Sequence, residues 1–460
     1  MGRKKHWHVR PHEISRNVES ILSVNMIHQK STEVVRTLKY ALRSVLSVLY
    51  GVWLMTLCIV SLLKARKTIA CSDIFVMLDE GGFGHTITAP DIARRLFPGS
   101  QITILMLSGR GRHNFQTRSI WPDNVRLLFI PLEWRRPWIE LVPKMTRRIC
   151  EIFLRSTTKV YWGVTDLYCE LQPWVSPDAS KLSQELNIRW VTGYFRLMSA
   201  TPTTPPPSLP DCVMSRIQRA LKLSDAERIA SIYLRQKSGS DISSASRSGS
   251  EFKVYLPAIR FLQHRGYLIF ITGDVVVPSE YRHGSGAIID RIYAKKAGVR
   301  PDEFQIFSVM RASICISESG GGAWLPMVLG KPHLCINAYP YFYAMRGAWM
   351  FPKRLKETHG QLVAPERLFS EFLYKHEVRP GYRLENNTKE ELLQAVEEFD
   401  SHVNKLDSPR FDASDIRMGA SWYPSANSAI CKSWFGAYRV GRSVHSTVEA
   451  QRSPDRRDGL

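Results

Sequence analysis

The chain has 460 residues, 44% hydrophobic and 23% charged, an ordinary globular composition that excludes a disordered or fibrous protein and leaves room for two or three domains. Lys and Arg outnumber Asp and Glu by 63 to 42, so the formal charge is +21 and an anionic partner is expected: nucleic acid, phospholipid or a phosphorylated substrate. Its eight cysteines (58, 71, 150, 169, 212, 315, 335 and 431) stand singly, without a CxxC pair, which points away from a structural zinc and from a disulfide framework.

The charge is unevenly placed. Residues 1–43 carry nine Lys or Arg against three Glu, and Lys64, Arg66 and Lys67 follow soon after. Between them lies Ser44–Leu63, twenty residues without a charge, which as a helix rising about 1.5 Å per residue matches the roughly 30 Å core of a bilayer. A single membrane span is expected, with a helix lying in the interface or a buried soluble helix as the alternatives. The stretch begins too far along the chain for a secretory signal peptide, and no small-residue cleavage site follows it. Basic flanks beside an apolar helix suit an anionic lipid surface, so phospholipid rather than nucleic acid is the expected partner.

From Cys71 onward, short runs rich in Ile, Val, Leu and Phe alternate with amphipathic stretches, the pattern of an α/β fold with a mostly parallel sheet. The first half predicts strands at DIFVML (73–78), ITILML (102–107), VRLLFI (125–130), KVYWGV (159–164) and RWVTGYF (189–195). Helices are expected at 86–97 and 138–154. Thr201–Pro210 holds five prolines, which cannot continue a helix or central strand, and marks a surface loop or domain boundary.

The second half predicts helices at 214–223, 254–265 and 288–298, and strands at 228–235, 267–272, 312–317 and 333–338. A Ser/Gly-rich loop, 236–250, is expected to be mobile without ligand. Two doubly wound, Rossmann-like domains facing a cleft are therefore expected, at 68–210 and 211–400, after a basic segment (1–43) and a membrane helix (44–63) and before an irregular tail (401–460).

Three loops stand out. After the first strand comes Asp79-Glu80-Gly81-Gly82-Phe83-Gly84-His85, where glycines and a helix start allow close approach of a ligand and His85 is placed to take a proton from an attacking hydroxyl. A tight turn capped by His85 explains the same residues. The spacing is not GxGxxG and no acidic ribose partner ends the next strand, so a nicotinamide cofactor is not expected. The second loop, Ser317-Glu318-Ser319-Gly320-Gly321-Gly322, opens a helix with a triple glycine whose amides, with the two Ser hydroxyls, suit a diphosphate; Glu318 fits a sugar or ribose hydroxyl. A turn softened by glycine, without a ligand, is the alternative. Third, Arg235 at a strand end and Arg247 in the following loop are candidates to clamp phosphate oxygens, with Asp274 at the neighbouring strand end as a further candidate or a helix cap.

These residues resemble a bacterial family of glycosyltransferases with the two-domain GT-B architecture. The resemblance runs through Ile232-Tyr233-Leu234-Arg235, Arg247, Tyr255-Leu256-Pro257-Ala258-Ile259, Arg265-Gly266-Tyr267, Gly273-Asp274, Ser317 to Gly322, Gly330-Lys331-Pro332, Asn337 and Glu385 to Glu391. It implies that the second domain holds a nucleotide-diphosphate sugar through Arg235 and the Ser317–Gly322 turn, without a metal or other cofactor. It further implies that Gly81, Gly82 and Gly84 lie on the acceptor side. Where the family has His two residues before the Arg, this chain has Tyr233, which leaves His85 as the candidate base by elimination. The expected activity is sugar transfer to a glycan or lipid-linked hydroxyl, with the catalytic domain cytoplasmic, where nucleotide sugars are made. A nucleotide-sugar epimerase or hydrolase of the same fold, or a non-enzymatic tethered binder of anionic polymer, are the competing readings.

Overall fold

A computed structural model of the chain describes residues 32–78, 83–107, 115–130, 138–175, 186–201, 206–235, 249–282, 288–339, 341, 348–364, 367–372, 378–404 and 429–430. Gly81, Gly82, Arg247, most of the Ser/Gly-rich loop and nearly all of the C-terminal tail lie outside the described residues.

In the first half, strands β1 (Ile74–Leu78), β2 (Ile102–Leu107), β3 (Val125–Ile130) and β4 (Lys159–Tyr161) form a parallel sheet in the order β3-β2-β1-β4. Every residue of β1 and β2 is buried, as expected for parallel strands covered on both faces. One face carries helix α1 (Thr32–Ala70) and helix α3 (Trp138–Phe153); helix α2 (Phe83–Leu96) connects β1 to β2. The expected 44–63 helix thus belongs to a longer one whose Leu54, Cys58, Leu62 and Ile69 pack with Phe75, Met77, Leu105 and Val142.

Two first-half expectations are corrected. KVYWGV is a strand only to Tyr161; Asp166 then accepts the Trp162 N–H (3.0 Å) and the chain turns into helix α4 (Val164–Cys169). RWVTGYF is not a strand but part of helix α5 (Leu186–Ala200). Residues 190–195, Leu197 and Met198 are all buried, and so nearly buried a helix reads in sequence like a short apolar strand. Gly193 permits the packing, since a Cβ there would stand 2.8 Å from the Leu171 carbonyl oxygen.

After helix α6 (Asp211–Leu221), strands β5 (Arg228–Leu234), β6 (Tyr267–Gly273), β7 (Ile289–Asp290), β8 (Ile314–Glu318), β9 (His333–Ala338) and β10 (Ala348–Pro352) form the second sheet. Ala429–Ile430 (β13) adds to its edge, giving the all-parallel order β13-β10-β9-β8-β5-β6-β7. Counted from β5, this is the doubly wound order 3-2-1-4-5-6, with the reversal between β5 and β8. The tail after residue 400 therefore contributes one sheet edge.

Helix α7 (Phe252–His264) follows β5 as expected. The helix expected over 288–298 is instead β7 followed by α8 (Arg291–Lys296), because the Asp290 carboxylate accepts the N–H groups of Ile292 and Tyr293 (3.1 and 2.8 Å) and so fixes the start. A further helix, α9 (Pro301–Arg311), starts with Pro at its first position and has Asp302 and Glu303 in its first turn. Helix α10 (Trp324–Val328) follows the triple glycine, β11 (Arg354–Glu357) and β12 (Tyr382–Glu385) form an antiparallel pair, and helix α11 (Lys389–Val403) begins at a Thr388–Glu391 capping box.

One apolar core runs through both halves. It is continuous where α5 meets α10: the Trp324 ring lies 5.5 Å from Trp190 and 6.2 Å from both Tyr194 and Phe195. Nearby, buried Asp91 of α2 takes Arg94 and Arg95 (each 2.7 Å) and the Tyr194 hydroxyl (2.7 Å). Asp91→Ala leaves two buried guanidinium groups without their counter-charge, and its cost is expected to be about 3–5 kcal/mol, measured as a lowered chemical-denaturation midpoint at unchanged slope.

Candidate active site at the strand ends

In a doubly wound sheet the crevice opens at the carboxyl ends of the two strands flanking the reversal, because the connections on either side diverge there. In the second sheet those ends are Leu234-Arg235 and Glu318-Ser319. The structure brings Arg235 onto the triple-glycine turn: its Nη1 is 3.4 Å from the Ser319 carbonyl oxygen and 3.0 Å from where a Cβ on Gly320 would stand. Gly320 has φ +148°, so both its backbone and the overlying guanidinium require glycine. Gly322 lies flat on Tyr233, 2.4 Å from that ring by the same measure, so the residue that departs from the family pattern forms the floor of the turn.

Asp274 reaches the same strand ends. Gly273, at φ +94°, presses on the Leu234 carbonyl, and the Asp274 N–H donates to that oxygen at 3.3 Å.

Three of the expected ligand groups face inward. Ser317 Oγ is 2.6 Å from His333 Nε2, and Ser319 Oγ accepts the Tyr339 N–H at 2.9 Å. Glu318 is wholly buried: its carboxylate accepts the Arg235 N–H (2.7 Å), the Asn337 side-chain amide (2.9 Å) and the Tyr255 hydroxyl. Ser317, Ser319 and Glu318, expected to meet a diphosphate and a sugar or ribose hydroxyl, thus have protein partners in this structure. β8 is a central strand covered on both faces, so alternation along it leads to protein on either side.

The Glu318 cluster extends further. Asn337, at φ +47°, and Asn387 exchange backbone N–H to side-chain oxygen bonds (2.8 and 2.7 Å), and Asn387 also donates to the Pro352 carbonyl (2.9 Å). Gly249 sits directly against the Glu318 carboxylate and donates its N–H to the Arg235 carbonyl at 3.2 Å, so the end of the Ser/Gly-rich loop returns to the site. Burial raises the Glu318 pKa against the pull of its three donors, and burial brings the neighbouring Lys353 ammonium down to about 8, partly offset by the Glu318 charge. Lys353 carried no recognisable signal in the sequence.

Across the crevice, Gly84 at the start of α2 lies against the turn, a Cβ there standing 3.3 Å from Trp324 Cδ1 and 3.4 Å from Gly321 Cα. His85 follows, its Nδ1 3.0 Å from the Tyr168 hydroxyl, which is also 3.1 Å from Thr88 Oγ1. When Nδ1 donates to Tyr168, Nε2 is the basic nitrogen. Tyr168 stacks on Trp190 at 4.3 Å, fixing the hydroxyl that orients the imidazole. Gly84 of the first-half loop and the triple-glycine turn are thus neighbours. Tyr168 lies 83 residues from His85, and no local pattern in the sequence links the two.

No family model and no curated protein matches this chain. Among solved structures, E. coli ADP-heptose LPS heptosyltransferase II aligns over 73% of this chain and 99% of its own, at TM-score 0.42 and 12% identity. The glycosyl transferase family 9 structure from Veillonella parvula aligns over 72% and 97%, at 0.41 and 10%. The wall teichoic acid polymerase TagF covers 91% of this chain and 99% of its own, at 0.30 and 9%.

Below Ser317, burial pushes the His333 imidazole down to about 3. A base with a lowered folded-state pKa contributes stability that is complete above its ordinary value near 6.5 and is lost as pH falls toward the folded value. Unfolding free energy is therefore expected to decline between pH 6.5 and 3 more steeply in the parent than in His333→Asn, read from denaturation midpoints across that window.

Proposed function

We propose that this chain is a membrane-associated glycosyltransferase that moves a sugar from a nucleotide-diphosphate donor to a hydroxyl of a glycan or lipid-linked carbohydrate. The observation that carries the reading is Arg235, laid across the Ser319–Gly320 backbone at the reversal of the second sheet, where a fixed guanidinium meets a glycine turn opening the Gly321–Ala323 3-10 segment. A planar guanidinium matches the oxygens of a diphosphate in two directions at once. The Gly321 amide, first in that segment, has no partner within the turn and adds a donor there.

In this reading the acceptor hydroxyl attacks the anomeric carbon, the bond from that carbon to the diphosphate oxygen breaks, and the electron pair leaves with the diphosphate. Arg235 stabilises the charge that develops there, and no metal is required for it. The hydroxyl proton passes to Nε2 of His85, whose ring is held by Tyr168. Glu318 acts from beneath: by fixing the Arg235 amide it sets where the guanidinium starts. Arg247 and Asp274 complete the donor side, and Gly81, Gly82 and Gly84 the acceptor side. Membrane association is supported by the apolar helix Leu42–Ala70, which keeps Val48, Leu49, Val52 and Trp53 exposed.

Two measurements test this. A nucleoside diphosphate of the right base is expected to raise the melting temperature of the parent but not of Arg235→Ala; a chain indifferent to every common nucleoside diphosphate contradicts the donor site. Arg235→Ala is expected to slow sugar transfer on the order of 10²-fold, the loss seen when a single oxyanion donor is removed. Parent-like turnover in that variant withdraws Arg235 from the reaction.

A further inference from the structure

Among the described residues, every exposed large apolar side chain except Val276 lies on α1 or α3. The two helices sit side by side on one face of the first sheet, with Cys58 Sγ 3.1 Å from Thr146 Oγ1 where they meet. A helix of this kind normally buries one stripe and turns polar residues outward. Instead, α1 keeps its buried stripe (Leu54, Cys58, Leu62) and turns Val48, Leu49, Val52, Trp53 and Val60 outward, while α3 exposes Leu141 and Ile152, the latter 78% accessible.

The buried stripe also limits what α1 can do. From Leu54 onward it is part of the domain core. The uncharged apolar length left before that point begins after Arg43 and spans roughly 15 Å, half of the roughly 30 Å of a bilayer core. A crossing would have to draw Arg36, Lys39 and Arg43 into hydrocarbon or strip Leu54, Cys58 and Leu62 from the sheet. Basic groups rim the same surface: Lys64, Arg66 and Lys67 end α1, and Lys144, Arg147 and Arg148 are exposed on α3. Among the described residues Arg147 and Arg148 share one carboxylate, Glu151, at 3.0 and 3.3 Å, so basic groups outnumber acidic ones along this rim.

We propose that α1 and α3 together form an in-plane docking surface for an anionic phospholipid bilayer. Their outward apolar side chains enter the acyl boundary, the Lys and Arg groups meet the lipid phosphates, and the chain rests on one leaflet without crossing. This deepens the membrane association above and rests on it, independently of the transfer chemistry. The charge favours lipid over a second copy of the chain, since two copies packed through this face would bring like-charged rims together.

The test uses the full chain with two probes: flotation with phosphatidylcholine vesicles with and without phosphatidylglycerol, and protease access to tags at both termini in sealed membrane vesicles. Binding is expected to need the anionic lipid, both tags are expected on the same side, and Arg148→Glu with Ile152→Glu is expected to weaken binding about tenfold or more at unchanged melting temperature. Tags on opposite sides overturn the in-plane arrangement while leaving membrane association intact. Undiminished binding by the α3 variant shows a single-helix anchor and overturns the joint surface. A soluble dimer that ignores vesicles assigns the face to a second copy, and a monomer that ignores them removes the membrane association itself.

Discussion

The second domain is organised around one buried carboxylate. Glu318 ends β8 without solvent contact, and such a charge is tolerated only where donors surround it. Its donors come from distant parts of the chain: the Arg235 amide after β5, the Tyr255 hydroxyl on α7 and the Asn337 amide at the end of β9. Asn337 passes the connection to Asn387, just before α11. The strand-end turn, the guanidinium above it and the last helix of the domain are thereby tied to one point. Networks of this type gain from mutual polarisation in a low-dielectric interior and lose heavily when one member is missing.

The two halves meet through aromatic surface. From His85 the rings run through Tyr168 to Trp190 and on to Trp324, with centroid separations of 6.2, 4.3 and 5.5 Å. Gly84 has no side chain to hold α2 away from this surface, and Gly321 lies opposite. The same contact therefore joins the two halves and brings the start of α2 against the triple-glycine turn. Gly84 of one half and Gly321 of the other become neighbours only through packing.

Much of what made the sequence resemble a glycosyltransferase turns out to be architectural. Gly266 and Gly330 sit at φ +81° and +65°, where an L side chain is strained. Arg265 pairs with buried Asp400 at 3.0 Å, and Tyr255, Asn337 and Asn387 belong to the Glu318 cluster. Arg235 and Asp274, by contrast, are part-exposed at neighbouring strand ends of the second sheet. Position in a motif marks a physical requirement, and most of these requirements concern the backbone and the buried network.

The sequence by itself determined the two parallel α/β halves, because strands such as IFVML and ITILML are apolar on both faces and only a doubly covered sheet buries them. It also determined the apolar helix near the N-terminus and the glycine turns, whose local geometry needs no partner. What it left open was direction: Ser317, Glu318 and Ser319 read as ligand groups until β8 proved central, and RWVTGYF read as a strand until its rings were seen to meet Trp324 across the domain contact. Lys353, Tyr168 and the stripe of α1 docked on the first sheet have their meaning from residues far away in the chain. Covalent order sets which elements form; which face of each is buried, and against what, is fixed only when distant elements compete for the same apolar surface.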